Sequence, residues 1–213
     1  LEGQHDPALV AALVQYVPVV ALSHLYDGVR HDAVLHDNVQ GITQMVGLLA
    51  EQGHRHLAWI GEAVPATWNQ EREAGFLYGC RCRGLPVSFD TMLGAPAWEA
   101  DDRLKEQAVL ELVAGGATGI VCVNDRVADK VLRILDAHHV SVPGQVSVTG
   151  FDAAPPQGPG QRAITSIDPC FIEMGRVAID LAQRRISQSA ACTLRAVVAG
   201  SLVAGTTVGP SPR

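Results

Sequence analysis

The stretch Gly119 to Leu135, reading G-I-V-C-V-N-D-R-V-A-D-K-V-L-R-I-L, constrains the fold more than any other. Ile120, Val121, Cys122 and Val123 form an unbroken apolar run rich in β-branched residues, the pattern of a strand whose sheet is covered on both faces. Apolar residues then fall at Val127, Val131, Ile134 and Leu135, the spacing of one helical face. The chain therefore passes from buried strand to helix through Asn124 and Asp125. In open α/β sheets that strand exit is where small ligands bind, because loops and helix N-termini present hydrogen-bonding groups there. Asn124 is the first candidate site residue. The competing reading is that the pair only caps the helix, since Asn and Asp accept from its free N–H groups.

A chain of 213 residues, 47% of them apolar, has material for one or two domains with real cores. A net charge of −6 and the lack of any Lys/Arg run argue against phosphate-backbone binding by these residues alone. No stretch approaches the ~18 apolar residues of a membrane span, and Leu1 to Pro7 do not resemble an export signal. The five cysteines, Cys80, Cys82, Cys122, Cys170 and Cys192, are odd in number and lack paired spacing, which fits reduced thiols in a cytoplasmic protein. Cys80 and Cys82 lie about 200° apart around a predicted helix and suit packing better than shared metal ligation. His54, His56, His138 and His139 have no carboxylate or thiol at ligand spacing, so no metal and no cofactor is expected.

In chain order, Asp6 to Val14 reads as a short helix with Pro7 in its first turn, and Val17 to Leu22 as a strand. Val34 and Leu35 suggest a strand leading through Asp37 and Asn38 into a helix that ends at Gly53. Leu57 to Ile60 is the next strand, followed by a helix carrying Arg72, Phe76 and Leu77. Val87 to Leu93 reads as a further strand, and Asp101–Asp102 opens a helix with Leu104, Ala108, Leu112 and Val113 inward. After the central strand and its helix, Val146 to Thr149 exits through Gly150-Phe151-Asp152. Right-handed crossovers keep such strands parallel, so Arg72, Asn124 and Asp152 are expected at one sheet edge. A cation, an amide and a carboxylate there can bind several hydroxyls of one ligand.

Five strings occur in order: G-H-R-H-L-A-W-I-G from Gly53, R-E-A-G-F from Arg72, V-N-D from Val123, V-P-G-Q-V-S-V-T-G-F-D from Val142 and I-T-S-I from Ile164. Together they resemble the effector-binding domain of the lactose-repressor (LacI/GalR) family of bacterial transcription regulators. The resemblance spans essentially the whole chain and implies an α/β, periplasmic-binding-protein-like fold. That fold has two Rossmann-like lobes with parallel sheets, joined by three crossing strands, and holds its ligand between them. Laid on it, the crossings fall near Leu35, Ile167 and Val197. Residues 1–35 and 168–196 then belong to an N-terminal lobe, and residues 36–167 and 197–213 to a C-terminal lobe. The N-terminal lobe looks incomplete, and the family's helix-turn-helix and hinge find no counterpart, so a piece of a longer protein is expected. The helix of about 171 to 187 should bury Ile172, Gly175, Ala178, Ile179 and Ala182.

The resemblance also implies site roles. Arg72 matches the arginine that grips ligand hydroxyls, and Asn124 and Asp152 match the asparagine and aspartate that receive them. Trp98 falls where sugar-responsive relatives place an indole against the apolar face of a sugar ring. Phe171, Trp68 and Ser23 are further cleft candidates. Ser23 stands where relatives often carry a ligand-binding aspartate and Pro169 where glutamine is common, so the effector is not expected to match lactose analogues.

Catalysis has little support, because no G-x-x-x-x-G-K loop and no G-x-S-x-G elbow occurs. The expected function is ligand sensing in a cytoplasmic repressor that binds a sugar or sugar derivative and acts as a homodimer. Operator DNA would be contacted only through a separate N-terminal domain, and no membrane is involved. A periplasmic-type sugar-binding protein of a transport system is the alternative.

Overall fold

The computed structural model describes residues 5–62, 66–88, 91–93, 102–156 and 161–212. Its contacts divide the chain into two compact units: Leu1–Asp37 with Ala66–Trp68 and Pro169–Gly200, and Asn38–Pro65 with Asn69–Asp168 and Ser201–Arg213.

The first unit is built on three parallel strands, β1 (Val20–Leu22), β2 (Asp32–His36) and β8 (Arg195–Val198), in the order β1-β2-β8. Helix α1 (Pro7–Leu13) starts as expected, with proline in its first turn and the Asp6 carboxylate accepting from the Ala8 amide at 2.9 Å. Alternation along β2 serves two apolar clusters. Ala33 packs with Val10, Val19, Ala21 and Tyr26, while Val34 meets Met174 and Leu181 of helix α6 (Phe171–Ser187). β1 is shorter than the predicted Val17 to Leu22, because the Val17 amide still donates to Leu13 at the helix end.

The buried side of α6 differs from expectation. Ile172 and Ile179 are 78% and 60% exposed, whereas Met174 and Leu181 are buried. Positions two apart lie about 200° apart on a helix, so the sheet takes the side of Met174 and Leu181, where of the expected residues Ala178 packs and Ile172 and Ile179 do not. The helix is apolar on both sides, and periodicity alone could not choose between them. Near its end, Arg185 pairs with the fully buried Asp32 through two 2.8 Å hydrogen bonds, and the same carboxylate accepts from the Leu194 amide at 2.6 Å.

The second unit holds a four-stranded parallel sheet ordered β4-β3-β5-β6: Met92–Leu93, Leu57–Ile60, Gly119–Cys122 and Ser147–Thr149. The two central strands are buried along their whole length, as the apolar run at 120–123 requires. Helices α2 (Asn38–Glu51), α3 (Thr67–Cys82), α4 (Asp102–Ala114) and α5 (Asp125–Ala137) accompany the sheet. α2 and α3 approach closely because Gly75 has no side chain: a Cβ there would lie 2.6 Å from the Val39 carbonyl oxygen. β7 (Ser166–Asp168) and β9 (Ser201–Val203) form an antiparallel pair. The strand expected from Val87 pairs only at Met92 and Leu93, with Phe89 and Asp90 outside the described residues. Leu104 is 47% exposed rather than inward, and Val109 and Leu112 occupy the buried side of α4. His54, of the G-H-R-H string, has a structural post. One ring nitrogen meets the Gly209 carbonyl and the other the Thr118 hydroxyl, both at 3.0 Å.

Candidate functional site

Three strand exits of the second unit meet at Arg72. Its side chain leaves α3 almost fully buried, with Nε donating to Asn38 Oδ1 at 2.9 Å and Nη1 donating to the Val123 carbonyl at 2.8 Å. Nη2 reaches Asp152 Oδ1 at 3.5 Å, and the guanidinium carbon sits 3.6 Å from the centroid of the Phe151 ring. Asn38 is itself oriented, because its Nδ2 donates to Glu71 Oε2 at 2.7 Å. Burial pulls the Arg72 pKa down to about 10, opposed by the negative charge of Asp152 and other carboxylates. The group stays cationic at neutral pH, held in one plane over an aromatic face.

Asn124 is the N-cap of α5: its backbone is extended at φ −155° and its Oδ1 accepts from the Val127 amide at 2.9 Å. The capping reading is therefore correct as far as it goes. It engages the oxygen of the side-chain amide and leaves the Nδ2 group to donate elsewhere. Asp152 follows β6 with φ 109°, and its amide donates to the Ile167 carbonyl at 2.8 Å. Its side chain remains 38% exposed. Burial raises its pKa, with the neighbouring Arg72 opposing. Strand exit, buried guanidinium and water-accessible carboxylate thus coincide.

Glu62, two residues beyond β3, was not among the sequence candidates. It is 6% exposed and its carboxylate pairs with Arg126. The strand-exit rule that selects Asn124 and Asp152 applies to it equally, so the signal was present. Asn38 and Phe151, which hold Arg72, carry no comparable signal, since their importance lies in contacts across the fold.

The first unit has its own strand edge. Ser23, with φ 61°, follows β1, and its hydroxyl lies 2.8 Å from Nε2 of His36 at the end of β2. The His36 ring meets Phe171 edge to face at 5.5 Å between centroids. His36 is a further group missed by sequence reasoning, and the parallel pairing of Leu22 with Val34 brings it beside Ser23. Trp68 is half-buried in the first turn of α3. Trp98 lies outside the described residues.

The groups at the second unit's edge offer hydrogen bonds and charge rather than a nucleophile. The nearby Cys122 thiol is fully buried with its pKa pushed up by desolvation, which makes it inert as a nucleophile. A parallel α/β sheet with a clamped arginine, an amide and a carboxylate at its strand exits is of the Rossmann-like class, in which polar ligands are taken at those exits.

Residues 46–208 match the periplasmic binding protein-like domain family, and the chain belongs to that family, as an effector-binding domain of the LacI kind. It is 27% identical over 176 residues to the HTH-type transcriptional regulator GalR of Salmonella typhimurium (strain SL1344), covering 81% of this chain and 51% of that protein. The crystal structure of a LacI transcriptional regulator from a Rhodococcus species superposes with a TM-score of 0.80 at 29% identity, over 98% of this chain and 76% of that one. A CelR–cellobiose complex has a TM-score of 0.76 at 24% identity, covering 90% and 59% of the respective chains, a likeness of fold alone. The chain spans about half the length of the curated relatives it matches. Those relatives are transcriptional regulators rather than enzymes, in agreement with the expectation that this chain carries no catalytic function.

Proposed function

We propose that this chain is the ligand-sensing domain of a transcriptional repressor whose effector is a polyhydroxylated small molecule, a sugar or sugar derivative. The observation that carries the reading is the Arg72–Asp152 pair. The arginine is fixed from several sides by Asn38, the Val123 carbonyl and Phe151, while its carboxylate partner remains open to water on a positive-φ loop. Packing alone needs no such exposed carboxylate. In this reading Asp152 accepts ligand hydroxyls, Asn124 donates through Nδ2, and Arg72 holds the carboxylate in place and donates to the ligand. Trp68, Trp98, Ser23 and Phe171 are proposed to complete the contacts, with His36 added beside Ser23.

The chain's two lobes, 1–35 with 168–196 and 36–167 with 197–213, would close on the effector and change the spacing of two DNA-binding heads in a homodimer. Only a difference in effector affinity between the two lobe arrangements can drive such coupling. Operator DNA would be read by a separate N-terminal domain of the full-length protein, which places the work in the cytoplasm. Kinship with regulators supports this over the transport reading, in which the same fold would hand its ligand to a permease.

The test is a thermal-shift screen of the full-length protein against neutral sugars, sugar acids and nucleosides, followed by calorimetry on each hit. The expected result is stabilisation by a polyhydroxylated compound that Asp152→Ala abolishes. Stabilisation that ignores both Asp152→Ala and Arg72→Ala would place the ligand elsewhere.

A further inference from the structure

Asp125 opens α5 and is only 4% exposed, far more buried than a first-turn carboxylate serving the helix dipole needs to be. Its side chain turns to the loop after β6 and to the start of β7. Oδ1 accepts from the Ser166 hydroxyl and Oδ2 from the Ala154 amide, each at 2.7 Å, while its own N–H donates to the Phe151 carbonyl at 2.8 Å. The Ser166 oxygen in turn accepts from the Ala153 amide at 3.0 Å. The loop after β6 is therefore held in two different ways. Backbone carbonyls take the amides of Gly150 (Thr165, 3.0 Å) and Asp152 (Ile167, 2.8 Å), but only side chains take those of Ala153 and Ala154. The side-chain half includes the left-handed turn, with φ 109° at Asp152 and 47° at Ala153, which must be held in place from outside. Gly150 leaves the space for this arrangement, since a Cβ there would lie 2.0 Å from Asp125 Oδ1.

We propose that Asp125 and Ser166 form a clamp that sets the position of the Asp152 carboxylate, making them positioning residues for the effector site without contact to the effector. The inference rests on Asp152 being the ligand carboxylate. An ionised Asp125 offers a full acceptor to both Ser166 and Ala154, whereas protonation turns one of its oxygens into a hydroxyl that accepts more weakly. The charged and titratable groups around it are Arg72 on α3, Asp152 in the loop, Cys122 on β5, Arg126 and Asp129 on α5, and Arg162 ahead of β7. Burial brings the Asp125 pKa up to about 6, with Asp152 adding to the rise and the hydrogen bonds and Arg72 opposing it. Mild acidification therefore weakens the hold on these two amides, while relieving the fold of a buried charge.

The experiment is amide hydrogen exchange on this chain, read residue by residue and corrected for intrinsic rates, together with NMR titration of the Asp152 carboxyl. Between about pH 7 and pH 5, protection at Ala153 and Ala154 should fall, by up to the roughly tenfold drop in the ionised fraction of one carboxyl. Gly150 and Asp152 should keep theirs. Asp125→Asn should remove the pH step. Ser166→Ala, which changes no charge, should expose the Ala153 amide and move the Asp152 titration down towards the ordinary carboxylate range as that group swings into water. A merely structural Ser166 would leave the Asp152 titration in place. If Ser166→Ala does not fold, the wild-type and Asp125→Asn exchange series decides alone. Flat protection at Ala153 and Ala154 across this range, or an Asp152 titration unmoved in folded Ser166→Ala, overturns the clamp. Failure of the ligand reading would show separately, as effector binding indifferent to Asp152→Ala.

Discussion

At the level of single residues, the site's chemistry depends on which atoms are already committed. Asp152 has an oxygen on Arg72 and a face towards water, so Asp152→Ala should weaken effector binding by roughly 1.5 to 3 kcal/mol, the scale of a charged hydrogen bond. Calorimetry checks this, with unchanged thermal unfolding as the control for fold. Asn124 permits a cleaner separation, because its oxygen caps α5 while its amide nitrogen is the group proposed to meet the ligand. Asn124→Ser keeps a good cap and loses the donor, so stability should change by only a few tenths of a kcal/mol while affinity falls by about 1 kcal/mol. Equal losses in both would reduce Asn124 to a cap. Asp125 supplies a pH prediction. Its folded pKa of about 6 lies above the ordinary value of 3.8, so the folded state binds more protons between the two. Its contribution to stability is thus greatest at the acid end and declines as pH rises through about 6, by on the order of 2 to 3 kcal/mol in all. Urea titrations at about pH 4.5 and 7.5 should show the stability difference between wild type and Asp125→Asn changing in that sense. Arg72, Asn124 and Asp152 were legible in the sequence because strand exits follow from hydrophobic pattern. Asn38, Phe151 and Ser166 were not, since their partners lie 34, 79 and 41 positions away and one chain gives no sign of such pairings.

At the level of elements, periodicity located every helix of the described residues to within a few positions but was weaker on which side each would bury. The strand at 119–122 was legible because its apolar run exceeds what one covered face requires. α6 failed in detail because Ile172, Ile179 and Ile186 repeat on one side while Met174 and Leu181 repeat on the other. The sheet beneath it decides between them, and that sheet is assembled from distant segments. The Asp32–Arg185 pair was invisible for the same reason, lying 153 residues apart. Burial alone would raise the Asp32 pKa, but the Arg185 and Leu194 hydrogen bonds outweigh it and hold the carboxyl below its usual range. The pair's contribution is therefore present above the ordinary carboxylate pKa and lost as pH falls through the folded value. Arg185→Ala leaves a fully buried charge uncompensated and should cost about 3 to 5 kcal/mol at neutral pH, measurable by urea unfolding. A loss under about 1 kcal/mol would mean the first unit tolerates an unpaired Asp32.

For the whole molecule, fold and family follow from the sequence and the comparisons together, whereas coupling to DNA is a proposal about the full-length protein. A net charge of −6 gives these 213 residues little attraction for a phosphate backbone, so operator affinity should reside in a DNA-reading domain outside them. Occupancy of the Arg72–Asp152 edge is proposed to control that affinity. This is tested most directly by measuring operator affinity of the full-length protein with and without the compound selected by thermal shift, for wild type and Asp152→Ala in parallel. The compound should change wild-type operator affinity by at least about fivefold, the lower end of usual allosteric coupling, and leave the folded variant unchanged. An equal response in both proteins would contradict the proposal.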